Sequence, residues 1–214
     1  MKQLIELAQS INDEELRKKV VEFLKDPKLS NKEFKKYPRM KIEEAATMFT
    51  VGGPSGSSSV ERDVLNHTIT LTNLCINTAK ELEKNYGVAL NKDYLIAAAL
   101  LHDIGKIFEW KRSGQNLEHT GIMLDHTMLG TSELYARGFP EGVIHIVAAH
   151  FGENGPTPPR NLEAMIMHHI DNMISLAEFH IYSGKKEEMP MQLLLLDEET
   201  LKKMAGGKPE TKSE

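Results

Sequence analysis

Five short histidine- and aspartate-bearing sites, His67, His102-Asp103, His126, His150 and Asp171, follow one another at separations of 35, 23, 24 and 21 residues. Each falls on, or at the end of, a separate stretch of helix-period apolar pattern. A chain that makes use of all five must bring several helices together so that these side chains project to one point. A helical bundle builds a metal site in this way. The expected fold class is therefore all-α, a helical bundle in one domain. Taken singly, the sites are unremarkable: His67 on an apolar face is ordinarily a hydrogen-bonded core residue, and His102-Asp103 alone is ordinarily a helix-end pair. The joint pattern points to metal. Four histidines and two carboxylates suffice for two divalent ions, and Asp103 is the natural bridge because a carboxylate has two oxygens to share. Two such ions, about 3.5–4 Å apart, would clamp a phosphoryl group and activate the attacking water.

Residues 12 to 25 form an expected helix, with Asn12 and Glu15 in capping-box spacing and a stop before Pro27. The run from Gly52 to Ser59 reads as a loop by composition. A long amphipathic helix is expected from Val60 to about Asn85, with Val64, His67, Leu71, Leu74, Thr78 and Leu82 on one face. Asn91 is placed to cap the next helix, whose Tyr94 to Leu101 core is very apolar and which ends at Gly105. A polar loop is expected over roughly 110 to 119, then a helix to Gly138. Pro140 suits the first turn of a helix reaching His150, and Asn161 could cap a last long helix ending near Gly184. The segment 191–197 reads equally as a short strand or a helix start, and the last residues as a frayed tail. The organisation expected is a helical extension over 1–50 packed on the same domain, a core over 51–184, and a C-terminal segment over 185–214.

Composition narrows the classes. The 214 residues are 40% hydrophobic and 27% charged, enough for a real core. Lys plus Arg number 26 against 31 Asp plus Glu, a net charge of -5, which argues against strong non-specific binding to nucleic acid or anionic membrane. The single cysteine, Cys75, rules out an intrachain disulfide and any cysteine-based zinc cluster, and reads as a buried thiol. No run approaches the roughly 18 apolar residues a membrane span needs, so a soluble cytoplasmic protein is expected.

The string Leu101-His102-Asp103-Ile104-Gly105-Lys106, preceded by His67 and followed by Asp171, resembles the HD-domain metal-dependent phosphohydrolases over about residues 60 to 182. That resemblance implies the HD helical bundle, with His67, His102, Asp103 and Asp171 forming the core metal site. His126 and His150 resemble the further histidines of the dinuclear subset. Asp103 and Lys106 are implied catalytic residues, with Lys106 contacting the substrate phosphate. His168, three residues before Asp171 on the same helix face, is a candidate to orient a ligand or to protonate the leaving alkoxide. Arg62, Arg160 and the Gly52–Ser59 run are weaker candidates for phosphate contact, and Asn172 for support of the site. His119, His145, His169 and His180 show no partner pattern.

Within the family, the segments Asp125-His126, Ala149-His150-Phe151-Gly152-Glu153 and His168 to Asn172 are similar to bacterial HD-domain 3′-to-5′ exoribonucleases. Those proteins carry an N-terminal OB-type domain, and usually a second histidine where this chain has Phe151. The short helical, acidic N-terminus, the Gly/Ser run and Arg62-Asp63-Val64-Leu65-Asn66-His67-Thr68 fit archaeal HD phosphodiesterases better. That resemblance implies an iron(II)-dependent enzyme opening a small-molecule 2′,3′-cyclic phosphate to a monoester, with the dihydroneopterin ester of methanopterin biosynthesis as one substrate. The ligand types themselves suit Mn, Co, Ni or Zn equally. A 5′-deoxynucleotidase, usually with the mononuclear ligand set, and a non-catalytic HD binding module are the other readings. Homo-oligomerisation through the N-terminal helices or the leucines at 193–196 is a further expectation.

Overall fold

The structure is a computed structural model that describes residues 1–53 and 56–183. The expectations for 191–197, for the leucines at 193–196 and for the tail lie outside the described residues. Helices dominate: α1 (Lys2–Ala8), α2 (Glu14–Lys25), α3 (Val64–Tyr86), α4 (Lys92–Leu101), the short α5 (Lys106–Glu109), α6 (His126–Ala136), α7 (Glu141–Ala148) and α8 (Leu162–Tyr182). Two antiparallel hairpins interrupt them, β1 (Ala46–Gly53) with β2 (Gly56–Asp63), and β3 (Trp110–Ser113) with β4 (Asn116–His119). Among the described residues, no helix is long and apolar enough to cross a membrane.

Helix α4 is the rod of the main core. Every residue from Leu95 to Leu101 is buried, and α2, α3, α7 and α8 all lie against it. A helix that is apolar all round is stable only inside a core. Asn91 starts it, its side chain accepting a hydrogen bond from the Tyr94 amide at 3.1 Å. Its C-terminal end carries His102 and Asp103, 0% and 1% exposed, into the interior. The main core joins α4 to Leu4 and Ala8 of α1, Leu16, Val20, Phe23 and Leu24 of α2, and Leu71 and Cys75 of α3.

Local chemistry corrects several expected boundaries. The first helix after α1 is capped by Asp13, which accepts from the Leu16 amide, rather than by Asn12. Asn12 instead donates its side-chain and backbone N–H groups to Asp93 at 3.2 and 2.9 Å, tying the start of α2 to α4. The stretch 46–63, read from composition as the end of a helical extension plus a loop, is a hairpin. Thr47, Phe49, Thr50 and Val51 favour extended backbone, and pairing carries the serines opposite them into the ladder (Thr50 to Ser59, Val51 to Ser58). Residues 60–63 are therefore strand, and α3 starts at Val64 with Asp63 as its cap. The polar segment 110–119 is likewise a hairpin rather than a loop, turning at Gly114 with φ 64°. Asn161 caps α8 through the Ala164 amide, as its position predicts.

Candidate metal centre

The six spaced residues converge. His67 comes from the first turn of α3, His102 and Asp103 from the end of α4, His126 from the start of α6, His150 from just past α7, and Asp171 from the middle of α8. One ligand atom each from His67, His102 and Asp171 lies within 4.8 Å of the others, and the same holds for Asp103, His126 and His150. Asp103 faces both sets. Its Oδ1 lies 3.4 Å from His126 Nε2, and its Oδ2 lies 3.4 Å from His102 Nε2 and 3.8 Å from His67 Nε2. The split of one carboxylate between two clusters is the arrangement a bridging ligand requires.

Each histidine is oriented by the nitrogen that points away from the centre. His67 Nδ1 lies 2.9 Å from Glu178 Oε2, His102 Nδ1 2.9 Å from the Ala99 carbonyl, His126 Nδ1 3.1 Å from Glu109 Oε1, and His150 Nδ1 2.7 Å from the Val147 carbonyl. Carbonyl and carboxylate oxygens only accept, so Nδ1 carries the proton and Nε2 presents its lone pair inward. Nε2 of His67, His102 and His126, and Oδ1 of Asp103, are buried with no hydrogen-bond partner. His67 Nε2 stands 3.0 Å from Asp171 Oδ1 without meeting hydrogen-bond geometry. Buried polar groups are almost always satisfied, so four unsatisfied lone-pair donors aimed at one region fit divalent cations. The donor set of imidazoles and carboxylates agrees with that reading.

Electrostatics favour ionised carboxylates and a neutral His150, while the carboxylates beside His67 draw it toward its protonated form. Burial alone would raise Asp103, but His102, the Lys106 ammonium and His126 hold it well below the usual carboxylate range. Burial also works against ionised Asp171, and His67, with the nearby His102 and His150, outweighs it and lowers the pKa. Burial pushes His150 down to about 3, so its imidazole is neutral at pH 7. At His67 burial pulls the pKa down, but the adjacent Asp171 and Glu178 carboxylates more than offset it, and the net shift is upward.

Lys106, 7% exposed, places Nζ 2.7 Å from Asp103 Oδ2. His168 is half-buried on α8, and its Nδ1 meets the His150 carbonyl at 2.7 Å, so it acts on the turn that carries His150. Arg160 and Asn172 are exposed, and the polar contact of Arg160 is its backbone amide with His145 Nε2. Arg62 is more central than its pattern suggested. It is 2% exposed, lies 3.3 Å from Asp103 Oδ2 and 3.6 Å from Glu178 Oε2, and donates to Ser175 Oγ at 2.7 Å. Glu178, Ser175 and Glu109 are functional neighbours that sequence reasoning missed. Ser175 and Glu178 stand four and seven residues after Asp171 on the face of α8 that carries it, a signal that was available. Glu109 carried none.

The HD domain family model matches residues 64–176, a stretch that holds all six candidate ligands and leaves Arg62 and Glu178 just outside. Dihydroneopterin 2′,3′-cyclic phosphate phosphodiesterase of Methanocaldococcus jannaschii is 42% identical over 173 residues, spanning 80% of this chain and 67% of that protein. The 3′-5′ exoribonuclease YhaM of Oceanobacillus iheyensis is 35% identical over 127 residues, 51% of this chain and 40% of that protein. No solved structure matches.

Proposed function

The chain belongs to the HD-domain family of metal-dependent phosphohydrolases, and from that premise we propose that it hydrolyses a small-molecule 2′,3′-cyclic phosphodiester to a phosphomonoester. Dihydroneopterin 2′,3′-cyclic phosphate, named for the archaeal relative, is the leading candidate substrate. The observation that carries the reading is the set of four histidines whose Nδ1 atoms are tied outward while Nε2 faces the buried Asp103 and the partly buried Asp171. His67, His102 and Asp171 would hold one ion, His126 and His150 the second, with Asp103 shared. Bound divalent ions supply Lewis acidity and lower the pKa of water toward neutrality. Iron(II) is the ion this reading favours, and the same donors suit Mn, Co, Ni and Zn.

The chain's own groups do the rest. Lys106 and Arg62 set two cationic donors beside Asp103, where they offset negative charge on the non-bridging phosphate oxygens. Glu109 and Glu178 keep His126 and His67 in the tautomer whose Nε2 lone pair faces the metal site. His168, with Nδ1 engaged by the His150 carbonyl, orients the turn that carries His150 in this proposal, and any role in protonating the leaving alkoxide falls to its Nε2. Hydrolysis adds one water across one P–O bond and leaves a phosphomonoester and a free hydroxyl. The net charge of -5 suits a small anionic substrate held by a few cationic groups better than a long polyanion. A cytoplasmic setting belongs to the same proposal.

An anaerobic hydrolysis panel on protein reconstituted with Fe(II) or Mn(II) tests it. The panel comprises dihydroneopterin 2′,3′-cyclic phosphate, 2′,3′-cyclic AMP, a short RNA and a deoxynucleoside 5′-monophosphate. Selective opening of the cyclic esters, with the pterin preferred, is expected. Stepwise release of nucleotides from RNA with the cyclic esters untouched would overturn it.

A further inference from the structure

The ring of Phe151 is 37% exposed, yet it packs directly on the candidate ligands. Its centroid lies 4.4 Å from that of His150, and 5.2 Å from that of His126 in an edge-on arrangement at 85°. His150 and His126 are only 2% and 7% exposed, so Phe151 is the aromatic surface that reaches solvent from the ligand rings. The backbone on both sides of it is pinned. His150, before it, has its carbonyl held by His168 Nδ1 at 2.7 Å. Gly152, after it, has φ 61°, and a Cβ there would stand 2.4 Å from the His168 ring. An exposed phenyl group contributes nothing to phosphate chemistry, but a π-face packed beside the candidate metal ligands suits the stacking of a planar heteroaromatic ring.

We infer that Phe151 is a specificity-determining residue that stacks the planar heteroaromatic part of the substrate beside the metal centre; the inference rests on the phosphodiesterase reading above. Selectivity between esters with and without an aromatic group then resides at this side chain, while the phosphate is handled by the metal centre, Lys106 and Arg62.

The test compares wild type, Phe151→Leu and Phe151→Trp on 2′,3′-cyclic AMP and on glycerol 1,2-cyclic phosphate, with metal content measured for each protein. Leucine keeps an apolar cover over the histidines and removes the π-face. The expected result for Phe151→Leu is a KM for the adenosine ester raised roughly 10- to 100-fold, the range base–aromatic stacking supports. Its kcat, metal content and KM for the glycerol ester stay unchanged, and Phe151→Trp stays near wild type. An equal change on both esters, or none on the adenosine ester, overturns the inference. Equilibrium dialysis of adenosine 3′-monophosphate reads the stacking without turnover. A weaker Kd for Phe151→Leu by tenfold or more supports the inference even where wild type opens neither ester, an outcome that removes the proposed function alone. Equal Kd values, or no binding by wild type, overturn it.

Discussion

Gly105 lies so close to His126 that a Cβ on it would stand 2.4 Å from the His126 carbonyl oxygen and 2.7 Å from its Cα. The glycine of the His-Asp-Ile-Gly-Lys string is therefore not a conformational requirement, since its φ of -64° is open to any residue. It is a close-approach requirement that sets α6 against the turn carrying Asp103. Both obstructing atoms are backbone, so Gly105→Ala must push the start of α6 away and take the His126 imidazole with it. The expected outcome is loss of the ion shared by Asp103, His126 and His150, with the His67, His102 and Asp171 group retained, plus about 1–3 kcal/mol of destabilisation from overpacking. Metal analysis should fall from two ions per chain to one, and hydrolysis should fall at least 100-fold. Two ions with wild-type turnover would refute the argument.

Glu178 and Glu109 touch the outward nitrogens of His67 and His126. Removing such a partner typically costs 10- to 100-fold in metal affinity. Glu178→Ala and Glu109→Ala should each weaken metal binding by about that factor, read by competition with a chromophoric chelator. Glutamine, which keeps an accepting oxygen at the same place, should recover most of the loss. Alanine and glutamine variants of equal affinity would mean the carboxylates only fill space.

The convergence of the six candidate ligands was legible in the sequence because it depends on residue type and on helix-period segments that carry their own signals. The Asn91 and Asn161 caps and the fully apolar α4 are of the same local kind. What lay beyond reading depends on pairing. The β1–β2 hairpin is hidden because its glycines and serines lack strand propensity and are held by the partner opposite. The burial of Arg62 follows from a register that sets it across from Thr47, and a strand rich in glycine and serine carries no hydrophobic alternation to fix a register. Glu109 sits on a four-residue helix and meets a histidine 17 positions away, a contact that only tertiary packing creates.

Cys75 is fully buried on α3, and burial pushes its thiol up to about 12 from an ordinary 9.0. The thiol should therefore resist Ellman's reagent at pH 8 in the native protein and react at once in denaturant, which makes it a reporter of global unfolding. Linkage adds a sign. Between 9.0 and about 12 the unfolded thiol ionises while the folded one keeps its proton, so the unfolded state binds fewer protons and stability falls as pH rises. Denaturant midpoints should drop less steeply over that window in Cys75→Ala than in wild type. Parallel slopes would show that the thiol titrates alike in both states.

Among the described residues, Asp103 is the carboxylate that lies against both candidate ligand groups, and two buried cations, Lys106 and Arg62, rest on its Oδ2 at 2.7 and 3.3 Å. Asp103→Ala should abolish hydrolysis and metal binding, but it also strips both cations of this partner, and breaking a buried pair costs about 3–5 kcal/mol. Asp103→Asn separates the two effects. Its side chain keeps the shape and one accepting oxygen, so the helical circular dichroism should match wild type. An amide bridges divalent ions far more weakly than a carboxylate, so bound metal should fall below one ion per chain and turnover should be lost. The melting temperature of the asparagine variant should not respond to added Mn(II), whereas that of wild type should rise, because a ligand stabilises only the state that binds it. Near-normal turnover in Asp103→Asn with two ions retained would show that Asp103 does not bridge the two groups.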